Sequence, residues 1–218
     1  MAPTAAGSYA VSATVNDSNY FGMATGTLVI NKATATITFS NLTATYNTAG
    51  QGVNATSDPV GLAVNLTYDG LTAQPVNAGD YTVVATINDP NYTGTATDTF
   101  TIDPAAATLT LSGLDTTYDG NTHTATLSTA PSGVAATITY DGGSTAPTNA
   151  GTYLVAARVT NPNYTGSTSA WMHIAPATAA ITVTGLLTTY DGNRHAVNVS
   201  TSPANLSVAV TYDGNSTA

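Results

Sequence analysis

Three histidines, twelve aspartates and three cations carry nearly all the reactive chemistry available to this 218-residue chain, which has no cysteine and no glutamate. His123 and His195 occupy one position of a repeat that Gln51 fills in another copy, while His173 stands beside Trp171 and Met172. A catalytic triad needs a histidine beside a placed nucleophile and acid, and zinc needs three or four converging ligands. Isolated as they are, the histidines are expected as surface strand residues. A glycosidase needs two carboxylates roughly 5 to 10 Å apart. Asp119 and Asp141 recur in the repeat, but each precedes a glycine in a turn, where aspartate is favoured for backbone reasons. No catalytic and no cofactor-binding residue is assigned, and an enzyme is the class these residues support least.

Calcium is the one metal worth weighing. Asp17 and Asp89 sit in Asn-Asp-x-Asn-Tyr loops and are weak candidates, because the third copy has Asn161 at that position and no Asp-x-Asp-x-Asp-Gly string occurs. Apart from calcium, no cofactor is expected. The formal charge is −9, with Lys32, Arg158 and Arg194 as the only cations besides the amino terminus. Three scattered cations build neither a phosphate-reading groove nor a polybasic membrane patch, so neither nucleic acid nor membrane is an expected partner. A Lys-Asn isopeptide crosslink in every unit is excluded, since only Lys32 is present. No run approaches the roughly 20 apolar residues of a membrane helix. Met1-Ala-Pro-Thr also lacks the charged-then-apolar opening of a signal peptide, so an export signal is expected outside the chain.

The elements that hold these residues repeat every 72 positions. Gly-x-Tyr recurs at Tyr9, Tyr81 and Tyr153, and Asn-Tyr at Tyr20, Tyr92 and Tyr164; Tyr46, Tyr118 and Tyr190 mark one further position, and Tyr68, Tyr140 and Tyr212, each opening Tyr-Asp-Gly, another. Four markers in one register, with no insertion, define a small self-contained module too long for a solenoid coil. Strand patterns place complete units at 33–104 and 105–176, the back half of a unit at 2–32 and the front half at 177–218.

Within a unit the apolar residues alternate. Tyr81, Val83, Ala85 and Ile87 line one face of a long strand, as Tyr153, Val155, Ala157 and Val159 do, and Tyr9, Val11, Ala13 and Val15. Closing strands are expected to bury Leu28/Ile30, Phe100/Ile102 and Met172/Ile174. Turn sequences such as Asp119-Gly120-Asn121 and Asp141-Gly142-Gly143 separate the strands. About six or seven strands per unit follow. With no segment able to supply crossover helices, parallel pairing is excluded and two packed antiparallel sheets are predicted. The fold class is all-β: tandem immunoglobulin-like antiparallel β-sandwich repeats arranged as an elongated rod, the Gly-x-Tyr resembling a tyrosine corner whose hydroxyl bonds to upstream backbone. Joints of a few residues, two of them carrying proline, stiffen the series.

Tyr118-Asp119-Gly120-Asn121, Ile138-Thr139-Tyr140-Asp141-Gly142, Ala146-Pro147-Thr148-Asn149-Ala150-Gly151-Thr152-Tyr153 and Asn161-Pro162-Asn163-Tyr164-Thr165-Gly166 together resemble the bacterial extracellular repeats called MBG or YDG-type domains. The resemblance covers the whole chain. It departs locally, with Asn47-Thr48 for Asp-Gly and Ser18 for Pro, both in turns. It implies a tandem-repeat segment of a secreted or surface-attached protein, located outside the cell, and it brings no catalytic residue with it.

The two half-units each leave about six apolar side chains unfaced, on the order of 10 kcal/mol of burial at about 1.5 to 3 kcal/mol each. The expected partners are therefore neighbouring copies of the chain, head to tail, or further covalent repeats. The expected function is that of a filament or adhesin stalk segment. The alternative is an adhesin module binding a cell-surface glycan or protein through its loops. Trp171, with Thr27 and Thr99 near its place in the other copies, is a candidate sugar platform, although outward strand aromatics are common.

Overall fold

The computed structural model describes residues 1–213. The last Tyr-Asp-Gly is therefore described only through Asp213, and the remainder of the 177–218 half-unit lies outside the described residues. Thr, Val, Ala and Ile, whose branched or small side chains suit a pleated surface, build strands throughout. The first half-unit is the hairpin β1 (Gly7–Thr14) and β2 (Met23–Ile30). The first complete repeat contains β3 (Ala33–Thr34), β4 (Thr36–Ser40), β5 (Thr43–Thr45), β6 (Asn54–Asp58), β7 (Val64–Tyr68), β8 (Gly79–Ile87), β9 (Tyr92–Thr93) and β10 (Thr95–Asp103). The second holds their counterparts β11 (Ala105–Ala106), β12 (Thr108–Ser112), β13 (Asp115–Thr117), β14 (Thr126–Ala130), β15 (Ala136–Tyr140), β16 (Gly151–Val159), β17 (Tyr164–Thr165) and β18 (Ser167–Ala175). The last half-unit contributes β19 (Ala180–Thr184) and β20 (Asn198–Ser202).

The chain divides into two compact units. One comprises Met1–Thr110, Ser128–Thr137 and Ala157–Thr168, the other Leu111–Leu127, Ile138–Ala156 and the chain from Ser169 on. In the first, a four-stranded sheet of order β5-β10-β8-β7 packs on the two-stranded sheet β4-β6. Val83, Phe100 and Ile102 from the larger sheet are fully or almost fully buried; they form the core with Val53 and Tyr68, and Phe39 of β4 closes over it. The second unit has its own core of Ala125, Tyr140, Val155, Met172 and Ile174, with Leu111, Leu114 and Ile138 packed against it. Only side chains on alternate positions enter these cores, so the period of two in the sequence becomes the inward face of each sheet.

Two expectations are corrected. The sheets are mixed rather than purely antiparallel: β5 runs parallel to β10, β3 to β9, β11 to β17 and β13 to β18. No crossover helix is needed, because the chain between the paired strands is most of a repeat and returns through the other strands. Each complete repeat also has eight strands rather than six or seven, since these short parallel ladders of two or three residues carry no periodicity that could announce them. Between β10 and β11 only Pro104 intervenes.

The half-units keep their own ladders. β1 pairs β2 with Gly7 opposite Ile30, the counterpart of Gly79 opposite Ile102, and β19 pairs β20 with Ala180 opposite Ser202, the counterpart of Thr36 opposite Asp58. They do not bury their apolar faces. Leu28 is 42% exposed and Val11 46%, where Phe100 and Val83 are at 0%. The expectation that Leu28 is buried is corrected, because no second sheet faces it.

Candidate functional site: the joint between repeats

The twelve tyrosines fall on four repeat positions, and the structure ties each position to a specific bond or ring contact. At the first, Tyr9, Tyr81 and Tyr153 donate their hydroxyls to the carbonyls of Ala5, Asn77 and Asn149, four residues upstream, at 2.8, 2.8 and 2.9 Å. At the second, the hydroxyls of Tyr68, Tyr140 and Tyr212 accept from the backbone N–H of Val53, Ala125 and Val197 at 3.1, 2.9 and 3.0 Å, fifteen residues upstream. The first bond ties down the loop entering the long strand. At Tyr68 and Tyr140 the second gives a buried N–H of a core-lining segment the acceptor it would otherwise lack.

The Asn-Tyr position builds the joint. Asp89 Oδ1 accepts from the N–H groups of Asn91 and Tyr92 at 2.7 and 3.0 Å, and Asp17 and Asn161 make the same turn with Asn19 and Asn163. That turn projects the asparagine away from its own repeat. Asn163 Oδ1 accepts from Ala78 N–H at 2.8 Å, and its Nδ2 donates to Asn77 Oδ1 at 3.0 Å, joining the repeat that carries β11–β18 to the one that carries β3–β10. Asn91 Oδ1 accepts from Ala6 N–H at 2.8 Å, the same contact one repeat earlier. Tyr164 meets Tyr46 edge to face, with ring centres 5.3 Å apart and planes at 81°. All of these residues lie in the first compact unit. Each hydrogen bond contributes about 0.5 to 1.5 kcal/mol and the ring pair a similar amount, so the joint is biased toward one local geometry by more than the 1.4 kcal/mol of a tenfold preference.

The residues weighed for chemistry lie apart from one another. Asp17 and Asp89 are occupied as turn formers, a role that the neutral Asn161 fills equally, and among the described residues no three His, Cys, Asp or Glu side chains converge as metal ligands. His123 is corrected from an exposed strand residue. It lies in the loop after β13, with its side chain largely buried, Nε2 3.2 Å from Asp119 Oδ1 and Nδ1 3.3 Å from Thr116 Oγ1. Its Nε2 has no hydrogen bond of good geometry despite that short distance, so the contact with Asp119 is one of proximity. His195 repeats the arrangement with Asp191 and Thr188. The N–H of Asn121 and then its side-chain amide hold the Asp119 carboxyl below its ordinary pKa, and Asn193 does the same for Asp191. Asp141 Oδ1 accepts from Leu154 N–H at 2.8 Å, with Asp141 in the left-handed region at φ 48°. Trp171, on β18, points to solvent.

Sequence reasoning marked the Asn-Tyr recurrence but not its seat. Asn77-Ala78 precedes Gly79-x-Tyr81, and Asn149-Ala150 precedes Gly151-x-Tyr153. The repetition of two Asn-containing motifs was the available signal, but nothing local in the sequence pairs one with the other. The glycine two residues after Tyr92 and Tyr164 was also silent. A Cβ on Gly94 or Gly166 would strike the carbonyl oxygen of Ala35 or Ala107, where the strands cross closely.

A family model described as MBG domain matches the chain four times in tandem, at residues 1–34, 35–106, 107–178 and 179–218. No curated protein matches the chain at a significant level.

Proposed function

The chain belongs to the MBG domain family, and on that premise we propose that it is a spacer: a stalk or filament segment of a secreted or cell-surface protein that holds another element at a distance. The observation that carries this reading is the recurrence of the joint. Asn163 on Ala78 and Asn91 on Ala6 repeat one contact at a 72-residue interval. A module that spends its most regular polar side chains on its neighbour is built for connection in series. Its titratable groups support turns: Asp89 and Asp141 accept backbone N–H bonds. No helix among the described residues is long and apolar enough to cross a membrane.

An adhesin module is the second reading, favoured by Trp171, an exposed aromatic with a free face that could stack on a sugar ring. An array of glycans and matrix proteins probed with the full chain separates the two. The spacer reading expects no saturable binding. Saturable binding that Trp171→Ala abolishes would replace it with the adhesin reading.

A further inference from the structure

The last strand of one complete repeat, β10, ends at Asp103; Pro104 follows, and β11 of the next begins at Ala105. Pro104 fixes its own φ and has no N–H to satisfy, and the residue on either side of it is held. Asp103 O accepts from Tyr46 N–H at 2.9 Å, and Ala105 N–H donates to Asn163 O at 3.0 Å. The ring of Tyr46 meets that of Tyr164, the neighbour of Asn163. These contacts close a loop around the link, from Asp103 through Tyr46, Tyr164 and Asn163 to Ala105. All of these residues lie in one compact unit.

Asn163 is the member of this loop whose side chain reaches into the earlier repeat. Its backbone carbonyl holds Ala105 while its amide holds Asn77 and Ala78. Ala78 N–H can only donate, so Oδ1 faces it and Nδ2 is left to face Asn77 Oδ1. The seat is fixed from the other side by Tyr81, which donates its hydroxyl to Asn77 O at 2.8 Å. Tyr81 stands on β8 and packs against the core that holds Val83 and Phe100. We propose that Tyr81 is the positioning residue of the joint: through Asn77 it presents the seat that Asn163 grips, and the gripped Asn163 holds the Asp103–Ala105 link in one geometry. Order in the core strand of one repeat is thereby passed to the link that leads into the next.

The same series of contacts occurs one repeat earlier with different reinforcement. Tyr9 donates to Ala5 O, Ala6 N–H donates to Asn91 Oδ1, and Asn91 O accepts from Ala33 N–H at 2.8 Å. Alanine at the Asn77 position removes the bond between the two amides, and Lys32 stands where the later link has Pro104. Lys32 Nζ donates to Asp89 O at 2.7 Å, in the turn that carries Asn91. Both joints keep the tyrosine hydroxyl, the seat N–H, the asparagine and the linker N–H. The Tyr81 hydroxyl bond lies where water competes, so it adds little to its own sandwich. Its effect falls on the seat.

The inference deepens the spacer reading and rests on it for its purpose, but it fails separately: the spacer role falls to saturable ligand binding, and this one to exchange at a single linker amide. The test is amide hydrogen exchange followed by NMR on the full chain. Ala105 N–H is the reporter, because its bond is to Asn163 O and not to Tyr81 or Asn77. Asn163→Ala is expected to speed Ala105 exchange about tenfold, and Tyr81→Phe about threefold. In the Asn163→Ala chain, adding Tyr81→Phe is expected to change the Ala105 rate no further, since the grip through which the hydroxyl acts is gone. Tyr153→Phe removes the same corner bond from Asn149, which Asn163 does not hold, and is expected to leave Ala105 unchanged. Asn77→Ala introduces the residue that the earlier joint carries and is expected to fall between the native chain and Asn163→Ala. Unaltered exchange at Val155 and Met172, both at 0% exposure, reports that the sandwich stays folded. Tyr81→Phe and Tyr153→Phe each delete one oxygen, so their comparison decides the matter even if Asn163→Ala loosens the fold. An Ala105 rate indifferent to Tyr81→Phe, effects of Tyr81→Phe and Asn163→Ala that multiply in the double variant, or a Tyr153→Phe effect equal to that of Tyr81→Phe would overturn the proposal.

Discussion

At the scale of single residues, the four tyrosine positions differ in what their hydroxyls are for. Tyr140 satisfies the N–H of Ala125 inside a core, while Tyr153 bonds Asn149 O where water can compete. Removing an acceptor from a buried donor costs the donor's full desolvation, about 1 to 3 kcal/mol, whereas losing an exposed bond costs about 1 kcal/mol or less. Tyr140→Phe is therefore expected to lower stability more than Tyr153→Phe in urea unfolding, although both variants delete one oxygen. Equal losses would mean that the Ala125 N–H finds water. The acidic side chains follow the same logic. Asp89 and Asn161 make one turn with a charged and a neutral oxygen, so their position requires an acceptor and no charge.

At the scale of elements, the short parallel ladders and the crossing at Gly166 close each sandwich. Gly166 has no unusual φ, so its requirement is space. A Cβ there would meet Ala107 O and would lie 3.0 Å from Leu109 Cδ1. Gly166→Ala is expected to cost about 1 to 3 kcal/mol, as overpacking does. Gly26→Ala, at a strand site with nothing within 4 Å, is expected to leave the melting temperature unchanged. A neutral Gly166→Ala would show that the β11–β17 ladder yields without loss.

At the scale of the whole molecule, closely similar strand sequences face unequal surroundings. Amide hydrogen exchange is expected to show the slowest amides at Val83, Phe100, Val155 and Met172, all at 0% exposure, and much faster exchange at Val11 and Leu28 in dilute solution. Uniform protection across all three copies would contradict this ranking. The 72-residue module, the alternating face of each long strand, the turns at Asp-Gly and the four tyrosine positions are legible in the sequence alone. All of these depend on alternation and local backbone preference, which neighbours along the chain set. The parallel pairs, the burial of His123 and the seat of Asn163 on Asn77 and Ala78 are not legible there. Those depend on which segment arrives alongside from 58 or more residues away, or on how a loop is covered. Val11, Val83 and Val155 sit in closely similar sequence, yet the first is exposed and the other two are enclosed. Burial belongs to the space between sheets, and only the tertiary structure says whether a second sheet is there.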